Sequence, residues 1–183
     1  RRRPPDLKVR TARTVPIQFH ARFSARSREY HYTLYQHEHP SVWRIRYAWH
    51  YPHPLDREHM AEALRSIEGT HDFRPFSVKT PPTQNTVRTL YRTAVVPTRN
   101  GTRIILEGTG FLRGMVRLIV GAIVLVGRGE RPLSFLRELL EASPQRPFTQ
   151  MAPPQGLCLH RVKYLLGTQD TRKNEIENGG ETE

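Results

Sequence analysis

Residues 115–126 read Met-Val-Arg-Leu-Ile-Val-Gly-Ala-Ile-Val-Leu-Val, and only one of them, Arg117, is charged. A helix apolar on every side has to be covered on most of them. The stretch is well short of the ~20 residues that cross a bilayer. The rest of the chain must therefore wrap a helix running from about Leu112 to Val126 and closed by Gly127. The guanidinium inside it is the sharpest constraint. A buried charge without a partner costs several kcal/mol. Arg117 also stands near the helix start, where the macrodipole disfavours a cation. An anion, carboxylate or phosphate, is expected against Arg117; the alternative is that it snorkels to water along its methylenes. Arg113, one turn earlier on the same face, adds to the positive field. Carboxylates are few nearby in sequence, so the partner is expected from outside this chain.

The remaining pattern supplies the wrapping. Leu7 to Val15 and Tyr30 to Gln36 read as strands. Leu55 to Ile67 reads as a helix, with Asp56 as N-cap, Met60, Leu64 and Ile67 on one face and Gly69 as its stop. Thr86 to Val96 and Thr102 to Gly108 read as strands joined at Asn100-Gly101, a strong hairpin signal. A further helix spans Pro132 to Ala142, with Pro132 in its first turn, and Leu157 to Leu165 closes as a strand. The order β-β-α-β-β-α-α-β predicts an α+β fold, a largely antiparallel sheet with helices packed on one face. The segment Thr70 to Asn85 is long for a loop. Its Phe73, Phe76, Arg74 and Lys79 could meet RNA, but burial statistics favour phenylalanines that pin the loop to the core.

The start, Arg1-Arg2-Arg3-Pro4-Pro5, is unlike a natural N-terminus, and we read the chain as part of something longer. The expected organisation is a disordered edge at 1–6, a folded unit at 7–167 and a polar, disordered tail at 168–183. The single cysteine, Cys158, excludes an internal disulfide or a Cys-rich zinc site, and is expected to be a small buried apolar residue. His37, His39, His50 and His53 lack the spacing of a known metal motif, so no metal is expected there.

Formal net charge is +12, of which +8 falls in residues 1–50; only four of the 29 basic residues are lysines. Arginine's planar fork grips phosphate and stacks on bases, so the balance points to a polyanion, most simply nucleic acid. The densest candidate is Phe19-His20-Ala21-Arg22-Phe23-Ser24-Ala25-Arg26-Ser27-Arg28-Glu29-Tyr30-His31-Tyr32. Here aromatic and basic residues interleave, as phosphate contacts plus stacking require. His20, Arg22, Arg26, Arg28 and Arg113 are the candidate RNA-contacting side chains.

Phe19-His20-Ala21-Arg22-Phe23-Ser24-Ala25 with Tyr30 and Tyr32 resembles the F-H-A-R-F-S-A…R-Y-x-Y signature of the TruA family of tRNA pseudouridine synthases. Gly69-Thr70-His71-Asp72-Phe73 resembles its G-x-H-D-F turn. Gly110-Phe111-Leu112-Arg113-Gly114-Met115-Val116-Arg117, with Ile119-Val120-Gly121, resembles its F-L-x-x-M-V-R-x-I-V-G helix. Ala152-Pro153 and Gly156-Leu157-Cys158-Leu159 resemble its A-P-x-x-G-L-x-L end. The likeness covers roughly residues 7 to 165 and is nearest to vertebrate, mitochondrial members, which implies a mitochondrial location, with cytoplasm or nucleus as alternatives. It implies the C-terminal half of a pseudouridine synthase catalytic domain, acting on uridine in the anticodon arm of tRNA without metal or cofactor. The family's catalytic Asp lies in a G-R-T-D loop that is absent from these 183 residues. The likeness therefore implies a piece inactive alone, with Arg117 pairing with that missing Asp and Tyr30 stacking on the target base. The carboxylate would attack ribose or uracil, the glycosidic bond would break, and the base would turn and rejoin through carbon. Leu118 and Gly114 depart from the common Asn and His of the family. The implied partner is tRNA, with messenger RNA left open as a second; a half-sheet is expected to form a homodimer or otherwise self-associate. The competing reading is a non-catalytic basic RNA-binding module.

Overall fold

A computed structural model describes residues 7–142 and 148–165. The expected disordered segments 1–6 and 168–183 lie outside the described residues. Among the described residues six strands and three α-helices occur in the order β1 Ala25–Tyr35, β2 Trp49–His50, α1 Arg57–Arg65, β3 Gly69–Asp72, β4 Val87–Thr98, β5 Gly101–Gly108, α2 Met115–Gly127, α3 Phe135–Glu141, β6 Leu157–Tyr164. They form one mixed, mostly antiparallel sheet in the order β2-β1-β5-β4-β3, with β6 also on β1. Among the described residues the only parallel pair is β1 with β2, at Leu34–Trp49 and Tyr35–His50. The α+β expectation holds.

One core joins sheet and helices. Tyr32 and Leu34 of β1 and Ile104 and Leu106 of β5 alternate inward, as a half-buried sheet requires. They meet Met60 and Leu64 of α1 and Leu118, Ile119 and Ile123 of α2, all essentially without exposure. α2 is buried on nearly every side, as its sequence demands. Asp56 caps α1, accepting from the His59 N–H at 3.0 Å. The β4–β5 hairpin forms, but its turn lies one residue earlier than the Asn100-Gly101 signal suggests: Thr98 pairs with Gly101, leaving Arg99-Asn100 as the two-residue connection. Glycine is needed at 101 because a Cβ there would stand 2.1 Å from the Leu34 carbonyl oxygen of β1.

Three expectations are corrected. Leu7 to Val15 is not a strand. Its Leu7 and Val9 are more than half exposed, and its arginines 10 and 13 leave no apolar face to bury. The edge of β1 it would need is taken by β6 and β2. Cys158 is exposed, not buried; it stands on β6 opposite His31, on the side of the sheet away from the helices. The segment after α1 is not wholly loop, since Gly69–Asp72 pairs with β4. The rest of that segment is pinned by Phe73 and Phe76, both fully buried, as burial grounds favoured.

Candidate active site

Arg117 sits in the first turn of α2, half-buried. Its Nε donates to the Ala152 carbonyl at 2.6 Å, and the Ala152 N–H donates back to the Arg117 carbonyl at 3.0 Å. The chain at 150–153 thus runs as a strap against the helix. It approaches so closely that a Cβ on Gly121 would lie 1.8 Å from the Gln150 carbonyl oxygen. No carboxylate lies within ion-pair distance of Arg117 among the described residues. The guanidinium therefore has one donor fixed on backbone and its remaining N–H groups uncommitted to any described acid.

The next carbonyl of the strap takes a second side chain. Tyr32 donates its hydroxyl to Pro153 O at 2.7 Å, so Arg117 and Tyr32 end on neighbouring carbonyls. Burial pushes the Tyr32 hydroxyl well above the ordinary tyrosine range, while the nearby Arg117 charge pulls part of the way back. Gly156 closes this corner, because a Cβ there would meet the Tyr32 ring at 2.6 Å. Tyr30, two residues earlier on the same face of β1, is half-buried and stands edge-on to Phe111, with ring centroids 4.9 Å apart at 75°. Phe111 opens the loop that enters α2. That loop ends at Gly114, whose φ of +78° and close neighbours Val78 and Met151 leave no space for a side chain. The departure at Gly114 thus has a packing reason.

The candidate RNA-contacting residues divide. Arg28 turns inward and donates to the carbonyls of Arg22, Ala25 and Thr109. It stitches the 20–24 loop to the start of the Phe111 loop and so brings two of the sequence motifs together. His20 organises the same loop, its Nδ1 accepting from the N–H groups of Arg22 and Phe23 at 3.1 and 3.3 Å. Arg22 lies over the exposed Phe23 ring, 5.5 Å from its centroid. Arg22, Arg26 and Arg113 are exposed. His37, His39, His50 and His53 do not converge into a ligand cluster among the described residues. In the G-x-H-D-F turn, Asp72 accepts from Arg74 N–H at 2.9 Å and from the Thr86 hydroxyl, which fixes the loop that carries Phe73 and Phe76.

Phe111, Tyr32 and the strap have no role that the sequence alone reveals. Their signal was present in the quoted motifs, but only the fold shows that Ala152-Pro153 supplies carbonyls and Gly156 supplies room.

A family model described as tRNA pseudouridine synthase matches residues 63–165, more than half of the chain. Similar proteins named tRNA pseudouridine synthase A occur in Pseudothermotoga lettingae (41% identical over 162 residues), a Geobacillus species (39% over 161) and Bacillus subtilis (37% over 161). Each alignment covers 88% of this chain. The chain spans 65–66% of the length of these relatives. With three of the four sequence motifs meeting around one strapped helix start and a matching family model, this chain belongs to the tRNA pseudouridine synthase family.

Proposed function

We propose that this chain forms the half of a uridine-isomerising site that grips the target base and orients a catalytic carboxylate. The observation that carries the reading is Arg117, held by the strap through Nε alone and facing no described acid. A guanidinium in that state keeps an incoming carboxylate ionised and aimed. The acid, on the family likeness, is the Asp of a G-R-T-D segment, which these 183 residues lack. Tyr30, braced by Phe111, offers a ring face for the uracil once the uridine leaves its stack. In the isomerisation the C1′–N1 bond breaks and a C1′–C5 bond forms; the C5 proton leaves and N1 gains one, so no cofactor is needed for balance. The substrate is tRNA, in its anticodon arm.

The test is pseudouridine formation in a tRNA transcript. It compares this chain alone with the longer protein carrying the G-R-T-D segment, each with Arg117 and with Arg117→Ala. Turnover is expected only in the longer protein, and Arg117→Ala should lower it by about 100-fold or more, the scale of losing a preorganised charge contact. Equal turnover with and without the guanidinium would sink the assignment.

We also assign the protein to mitochondria, on the sequence likeness, and to a self-associated state. The second is supported by the outer edge of β6, which pairs with no strand among the described residues. Imaging of the tagged longer protein tests the first; a strictly monomeric mass by light scattering would refute the second.

A further inference from the structure

Tyr30 and Tyr32 face the helices, so the intervening Glu29 and His31 stand on the opposite face of β1. There they meet β6. Its register against β1 shifts between Glu29–Arg161 and Tyr30–Leu159, leaving His160 as the extra residue of a bulge. A bulge re-aims a side chain, and here it lays the His160 ring on that of His31, with centroids 3.9 Å apart and planes within 15°. The Glu29 carboxylate Oε1 is 2.8 Å from His31 Nε2 and 4.0 Å from His160 Nε2. The three ligand atoms all lie within 4.8 Å of one another.

Zinc bound tetrahedrally at about 2.0–2.1 Å to nitrogen and oxygen sets its ligands roughly 3.3–3.5 Å apart. The observed separations bracket that edge, and because a metal lies in the plane of each imidazole that binds it, the His160 ring, 47% exposed, has to turn out of its stack on His31 to bind. Two imidazoles and one carboxylate suit zinc, cobalt or nickel rather than magnesium or calcium. Glu29 and His31 are largely shielded, with side chains 12% and 13% exposed, while His160 at 47% leaves a solvent-side entry. Arg103, on the neighbouring β5 and close enough for its charge to act on His31, works against a cation, and the Glu29 charge offsets it. Lys163 does not compete for Glu29, because its ammonium is engaged with Glu107 at 2.8 Å.

We propose that Glu29, His31 and His160 form a zinc-type divalent metal site that bridges β1 and β6, with a fourth position open to water. The site lies on the far side of the sheet from Tyr30 and Arg117, and it stands independently of the uridine chemistry proposed above.

The experiment is calorimetric titration of the full chain, free of any polyhistidine tag and stripped of metal, with Zn²⁺. Co²⁺ serves as a visible-absorbing probe of tetrahedral coordination. One-to-one binding and a raised thermal midpoint are expected. His160→Ala, at an exposed position, should weaken binding at least about tenfold; Glu29→Gln, an isosteric change, should do the same. His39→Ala and Cys158→Ser should leave affinity unchanged. Absence of saturable one-to-one binding, equal affinity in His160→Ala, or a loss that follows His39 or Cys158 instead would each overturn the site.

Discussion

Single atoms decide how the strap meets α2. A methyl group at Gly121 would need space already held by the Gln150 carbonyl, 1.8 Å away. Gly121→Ala should therefore destabilise the fold by about 1–3 kcal/mol through forced displacement, measured as a shift in urea midpoint. Gly129→Ala is the contrast. No heavy atom lies within 4 Å of its Cβ position and only the φ of +73° opposes it, so it should cost only the roughly 1–2 kcal/mol of a left-handed residue, less than Gly121→Ala. Equal costs would mean the strap yields freely. On the other face of the sheet, Glu107 accepts hydrogen bonds from Lys163 and Ser27, which hold its carboxyl below the ordinary glutamate value against the opposing effect of burial. The folded state thus binds its proton less readily than the unfolded one. Its contribution is present above the unfolded value of ~4.3 and is lost as pH falls from there through the lower folded value. Denaturant midpoints taken from neutral pH downward should drop more steeply for the natural protein than for Glu107→Gln; parallel curves would remove Glu107 from the acid response. The setting of Arg117, one cation in an apolar helix, was legible in the sequence, but its contact was not: Nε lands on the Ala152 backbone carbonyl, neither on an anion nor in water. Arg28 was not legible either. Nothing in an Arg-rich loop tells which guanidinium turns in to bind three carbonyls and which stay in water.

Elements were legible where periodicity ran long enough to bury a face. α1, α2, the β4–β5 hairpin and β6 all lie within a few residues of their expected bounds. Two- and four-residue strands such as β2 and β3 carry too few residues for any period, and the strap is set by tertiary contact alone. The error at 7–15 has the same root. β-branched residues give propensity, yet a strand also needs a free edge and an apolar face, and this segment has neither. It follows that deleting residues 7–15 should change the thermal midpoint by no more than about 2 °C, since less than ~0.5 kcal/mol rests on exposed, unpaired chain. A large drop on calorimetry would show that the segment docks on something.

At the scale of the molecule, the charge of +12 and the RNA substrate proposed above lead to one measurable property. Binding of a tRNA transcript should weaken steeply with salt, linear in log–log form, and neutralising the exposed Arg22 and Arg113 together should reduce the slope by about 2. An unchanged slope would place the phosphate contacts elsewhere. The strap described above also has a bearing on timing. Arg117 and Tyr32 take their anchors from Ala152 and Pro153, and Gly156 fits against the Tyr32 ring. A nascent chain that has emerged only as far as α2 therefore holds a guanidinium with nothing to steady it. Whatever chemistry this corner supports must wait until the ribosome has delivered the closing strand, so a prematurely terminated product is born without a working site even if its helices have already formed.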